Sequence, residues 1–144
     1  MSGPADASVA LRHFGSSTEE VTRIPAGDGL PAHVLKVLSP DAGNVHGMGP
    51  GTGRDEGDCH YWAREQRFYE AVASGEWPPA VGLPLRPPRP LAVERRPDGR
   101  VALRLERIDE SEGEWTADDY REAAAHLGEF NGHHLVRPLP AHPP

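Results

Sequence analysis

The chain has 144 residues, 37% of them hydrophobic and 26% charged, which is enough for one modest core. Sixteen Gly and sixteen Pro assign much of it to turns, loops or tails. A net charge of −7 argues against a non-specific nucleic-acid binder. No apolar run approaches the ~18 residues of a membrane span. No basic head with an apolar core opens the chain. One cysteine, Cys59, excludes an internal disulfide and a Cys-rich zinc module. Together these place the expected location in the cytoplasm.

Residues 1–8 read as a frayed end. Val9–Phe14 and Glu20–Ile24 are short segments able to form a hairpin across the turn Gly15-Ser16-Ser17-Thr18. Pro25–Pro31 is a second turn. Ala32–Leu38 is a strand, apolar on both faces apart from Lys36. Residues 39–58 carry six Gly without apolar periodicity and read as a long mobile loop. Cys59–Ser74 predicts a helix with Trp62, Glu65, Phe68/Tyr69 and Val72 on one stripe, ended by Gly75 and Pro78-Pro79.

Ala80–Pro90 is Pro-rich and reads as extended. Leu91–Arg95 and Val101–Glu106 are strands around the tight turn Pro97-Asp98-Gly99. Ile108–Trp115 is an acidic connector. Thr116 then caps a helix to about Asn131, with Asp118 and Asp119 in its first turn and Gly132 at its end. Its inward residues are expected to be Tyr120, Ala124, Leu127 and Phe130 or Asn131. His133–Pro144 is a Pro-rich tail. The order suits an α+β fold: a five-stranded antiparallel sheet with one packed helix, then a connector into a further helix. The expected division is a body over 9–108, a connector and helix over 109–135, and a tail over 136–144.

The basic residues are fourteen Arg and a single Lys, Lys36, in the strand where a charge is least expected. Glu65 lies on the apolar stripe of the following helix. An isolated buried charge costs several kcal/mol even after relaxation, so each needs a partner. The economical solution is that the two pair, with the helix lying across the sheet. Kinase-type sites use such a Lys–Glu pair to orient nucleotide phosphates. Each residue also has an ordinary reading. Lys36 can be a snorkelling edge-strand residue, and Glu65 can pair locally with Arg64 or Arg67.

Four segments together resemble a family: Val34-Leu35-Lys36-Val37-Leu38, Tyr61-Trp62-Ala63-Arg64-Glu65-Gln66-Arg67-Phe68-Tyr69-Glu70, Leu103-Arg104-Leu105-Glu106-Arg107-Ile108, and Ala125-His126-Leu127-Gly128-Glu129-Phe130-Asn131-Gly132. They are similar to the N-terminal lobe of the aminoglycoside phosphotransferase family, small-molecule kinases with a protein-kinase-like fold. The resemblance covers about residues 10–135. It implies that Lys36 contacts ATP phosphates and that Glu65 is its ion-pair partner. It implies that the strand through Glu106 and Ile108 is a hinge offering backbone groups to adenine. It implies that Ser16 and Ser17 lie in the turn above the phosphates, although one Gly there is not a glycine-rich loop.

The family's catalytic His-x-Asp loop with its later Asn is absent, and no Asp follows Asp119. The expectation is a nucleotide-binding lobe that ends before the catalytic loop and is inactive alone. Mg²⁺ and a small-molecule hydroxyl substrate would belong to the missing lobe. A surface normally covered by that lobe would favour self-association. Two alternatives remain: a non-catalytic kinase-like module binding nucleotide or a partner, and an unrelated α+β binding domain. Gly47–Gly53 fits neither Gly-x-Gly-x-x-Gly nor a loop ending in Gly-Lys-Ser/Thr. Cys59, His60, His126, His133 and His134 lack recognisable zinc spacing. The acidic stretch Asp109–Glu114 reads as a solvated connector rather than a cation site.

Overall fold

The computed structural model describes residues 7–13, 15–42, 53–58, 60–76, 85–109 and 113–136. The expected frayed end at 1–6, the centre of the Gly-rich loop, Cys59, Pro78-Pro79, most of Ala80–Pro90, the middle of the acidic connector and the tail from 137 lie outside them. Among the described residues the elements are, in order, β1 (Val9–Ala10), β2 (Thr18–Ile24), β3 (His33–Leu38), α1 (Arg64–Ser74), β4 (Pro90–Arg95), β5 (Val101–Glu106) and α2 (Ala117–Val136). The fold is α+β. Its strands form one five-stranded sheet in the order β1-β2-β3-β5-β4, every neighbouring pair antiparallel.

Three antiparallel pairings of consecutive strands and one long-range pairing build this sheet. In the β4–β5 turn Gly99 N donates to Arg96 O at 3.1 Å, and Arg96 N donates to Arg100 O at 2.8 Å. Between β2 and β3, Thr18 opposes Leu38 and Ile24 opposes His33. Strand β3 then pairs with β5, with Lys36 opposite Leu103. This makes β3 the central strand, not an edge.

Alternation along β3 and β5 sorts their side chains onto two faces. Leu38, Val101, Leu103 and Leu105 form the core with Tyr69 of α1, and Trp62, Phe68 and Val93 pack around it. The opposite face carries buried Val37 and Ala102 together with His33. There the His33 ring joins a polar chain. Nδ1 lies 2.8 Å from Pro31 O, and Nε2 lies 3.0 Å from Arg104 Nη1. A carbonyl only accepts and a guanidinium only donates, so the imidazole proton sits on Nδ1. Arg104 Nε donates onward to Glu94 at 3.2 Å.

Helix α1 begins at Arg64, five residues later than the sequence suggests. The reason is local competition. The Asp58 carboxylate accepts from His60 N at 2.8 Å, and Asp58 O accepts from Tyr61 N at 3.0 Å, so the chain turns before it winds. The buried side of α1 also differs from the expected stripe. Gln66 and Tyr69 are buried, with Ala63 just before them, while Glu65 and Phe68 are half-buried. Gly75 closes the helix at φ +77°.

The chain divides into two compact units: Met1–Pro78 with Pro88–Ile108, and Pro79–Pro87 with Asp109–Pro144. The first holds the sheet and α1. The second holds α2, whose start is a reciprocal cap. Thr116 Oγ1 accepts from Asp119 N at 3.3 Å, and the Asp119 carboxylate accepts from Thr116 N at 2.7 Å. The Thr116 hydroxyl also donates to the Asp119 carboxylate at 2.7 Å, and this bond, with that from Thr116 N, holds the Asp119 carboxyl below its usual range. The helix runs past Gly132 to Val136. Tyr120 and Leu127, expected to face inward, are exposed, as are Leu135 and Val136. No helix among the described residues is long and apolar enough to cross a membrane.

Candidate functional site

Lys36 and Glu65 meet. Lys36 Nζ donates to Glu65 Oε2 at 2.5 Å, which joins the central strand to the first turn of α1. The backbone explains why. Lys36 shares its face of the sheet with Leu38, Leu103 and Leu105, the face on which Tyr69 of α1 packs. Glu65 precedes Tyr69 by one helical turn and so lies above the same surface.

The pair is not deeply buried. Its side chains are 22% and 30% exposed. The sequence argument from an expensive buried charge therefore overstates the penalty. Glu65 sits at the margin of the buried side of α1, and that margin lets its carboxylate reach Lys36 while both stay hydrated. An ammonium has three donors, and Glu65 takes one. The others can meet an anion. Burial, helped by the Glu65 charge, pushes the Tyr69 phenol up to about 12. Tyr69 is thus a neutral wall beside the pair at physiological pH.

The other expected residues lie on either side of Lys36 along the sheet. Ser16 and Ser17 form the turn into β2, and Ser17 O accepts from Ser39 N at 2.9 Å. This puts the turn beyond the end of β3, about 10 Å from Lys36 at the usual strand rise. Glu106 pairs with His33 at the opposite end of β3, again three residues or about 10 Å away. Its N–H donates to Arg89 O at 2.9 Å. Ile108, just past the strand, is 55% exposed. The Glu106 carboxylate lies 3.9 Å from Arg89 Nε.

Lys36, the turn and the strand end are thus ordered along one sheet, with the ion pair at the centre. Among the described residues, no group of three or more His, Cys, Asp or Glu is placed to hold a metal ion. One feature escaped the sequence reading. The segment before α1 is tied to the helix by Arg64 Nη2 donating to Asp58 O at 2.7 Å, and by an Arg67–Glu56 ion pair. Arg67 also lies over the Tyr61 ring, 5.0 Å from its centroid. An i, i+3 pattern of Arg64 and Arg67 after an acidic Gly-rich stretch was its only sequence signal.

Compared with family models, with curated proteins and with solved structures, the chain shows no match to any of them.

Proposed function

We propose that this chain is the nucleotide-side lobe of an ATP-dependent small-molecule phosphotransferase with a kinase-like fold, similar to the aminoglycoside phosphotransferases. The observation that carries this reading is the Lys36–Glu65 contact of 2.5 Å, from the third strand to the helix that follows it. A Lys on the third strand held by a Glu of the next helix is the arrangement that orients ATP phosphates in kinase-type sites. Lys36 would supply positive charge to the phosphates, and Glu65 would fix its direction. The segment through Ile108 would receive adenine, and the Ser16-Ser17 turn would lie at the phosphate end. The chain's own part is binding and orientation. It offers no His-x-Asp segment to accept a hydroxyl proton, and no transfer step is assigned to it. The acceptor would be a small molecule carrying a hydroxyl.

Calorimetric titration of ATP and adenosine tests this. ATP should bind weakly, and Lys36→Met should weaken it by about tenfold or more, the worth of a hydrogen bond to a charged group. Adenosine has no phosphate, so its affinity should hardly change. ATP binding indifferent to Lys36→Met would remove the role assigned to Lys36. Absence of binding by both ligands would reject the nucleotide reading.

A further inference from the structure

The first turn of α1 has no cap of its own. Its N-cap position is Ala63, which makes no side-chain hydrogen bond to the helix. Glu65 is the second helical residue, so its position depends on whatever fixes that turn. The structure offers a clear candidate in the preceding loop. Gly53 O accepts from Trp62 N at 2.9 Å, which closes residues 53–62 into a ring whose end is the helix start. Arg64 N donates to Tyr61 O at 3.2 Å, and the Arg64 and Arg67 side chains reach back to Asp58 and Glu56. An ion pair between Arg54 and Asp41 ties the same ring to the exit of β3.

Gly53 is the closure point, and only glycine fits it. Its φ is +79°, and a Cβ there would stand 2.3 Å from His60 O and 3.2 Å from His60 C. Both are backbone atoms, which cannot rotate away as a side chain could. Gly75 at the other end of α1 has nearly the same φ, +77°, but nothing within 4 Å of an added Cβ. The two ends of one helix therefore differ in contact while sharing backbone conformation.

We infer that the loop closed by Gly53 is a clasp that sets the start of α1, and that Gly53 is a positioning residue for the Lys36–Glu65 pair. The clasp matters for phosphate binding only if the nucleotide reading above holds. Its effect on the pair can be read without nucleotide.

Lys36 is the single lysine, so protein labelled with ¹³C,¹⁵N-lysine gives one side-chain ammonium signal. Glu65→Gln supplies the reference position of that signal without its carboxylate partner. Gly53→Ala should move the signal at least halfway to the Glu65→Gln position. Gly75→Ala should lower the melting temperature yet leave the signal at its wild-type position. A wild-type signal in folded Gly53→Ala would overturn the clasp. So would equal movement in Gly53→Ala and Gly75→Ala, because the effect would then be general loosening. If circular dichroism shows Gly53→Ala unfolded, Arg67→Ala decides, since it removes the Glu56 pair and the Tyr61 contact without a backbone clash. It should move the signal in the same direction by a smaller amount, and no movement would refute the clasp. ATP titration of the same proteins is a separate readout. A signal that moves as expected in a protein that does not bind ATP would uphold the clasp and reject the nucleotide role.

Discussion

At the residue scale, Tyr69 ties stability to alkaline pH. The Tyr69 phenol is raised from about 10 in an unfolded chain to about 12 by burial and the Glu65 charge. Between those values the unfolded chain releases a proton that the folded chain retains. Stability is therefore unaffected below about pH 10 and falls from pH 10 to 12, by on the order of 2 kcal/mol. Tyr69→Phe should remove that part of the alkaline loss, and urea titrations of both proteins at pH 9 and pH 11.5 measure it. An identical alkaline loss in the two proteins would contradict the assignment. The pair itself was legible in the sequence because Lys36 is the only Lys and stands in an apolar strand. Gly53 was not legible. Its necessity comes from a backbone contact with His60 that no spacing of side chains records.

At the scale of elements, most of the sheet could be read from alternation and turns. Val101, Leu103 and Leu105 alternate as one inward row, and Pro97-Asp98-Gly99 marks the hairpin before them. The pairing of β3 with β5 could not be read in the same way, since it joins segments with a helix and a hairpin strand between them. The start of α1 was misplaced because the sequence periodicity continues ahead of Arg64, while Asp58 ties His60 N and Tyr61 N into a turn. On the buried side of α1, Tyr69 is buried and Trp62 and Phe68 pack against the core as expected, while Gln66, not Glu65, is the second buried residue. Leu103 shows how closely strand and site depend on each other. It is fully buried, belongs to the core that Tyr69 completes, and stands opposite Lys36. Leu103→Ala should cost about 2–5 kcal/mol, the usual range for such a truncation. Urea denaturation checks this, and a loss below about 1 kcal/mol would show that the core is not packed as described.

For the whole molecule, exposed apolar surface is the dominant physical liability. Trp115, Tyr120 and Leu127 are more than half exposed, and Leu135 reaches 81%. Trp115 packs against Tyr120 with ring centroids 5.1 Å apart and planes tilted by 57°, but both residues remain open to water. Apolar surface of this kind promotes association. Sedimentation equilibrium should show a mean mass that rises with concentration in the micromolar range and beyond. Leu127→Glu combined with Leu135→Glu should suppress the rise. A constant monomer mass throughout, in the parent chain, would contradict the expectation.

The sheet order has a consequence for the emerging chain during synthesis. Strand β2 can hairpin onto β3 as soon as both have left the ribosome, so Lys36 acquires its Val21 neighbour early. A nascent chain reaching Glu76 already contains Lys36, Gly53 and Glu65. It still lacks Val101, Leu103 and Leu105, on which Tyr69 seats. Until they arrive, α1 has little to rest on, and the ion pair has no floor. Non-local pairing of this type is slow to form because the intervening loop must be closed first. The pair thus matures only once β5 has been translated, although Lys36 and Glu65 are both made well before it.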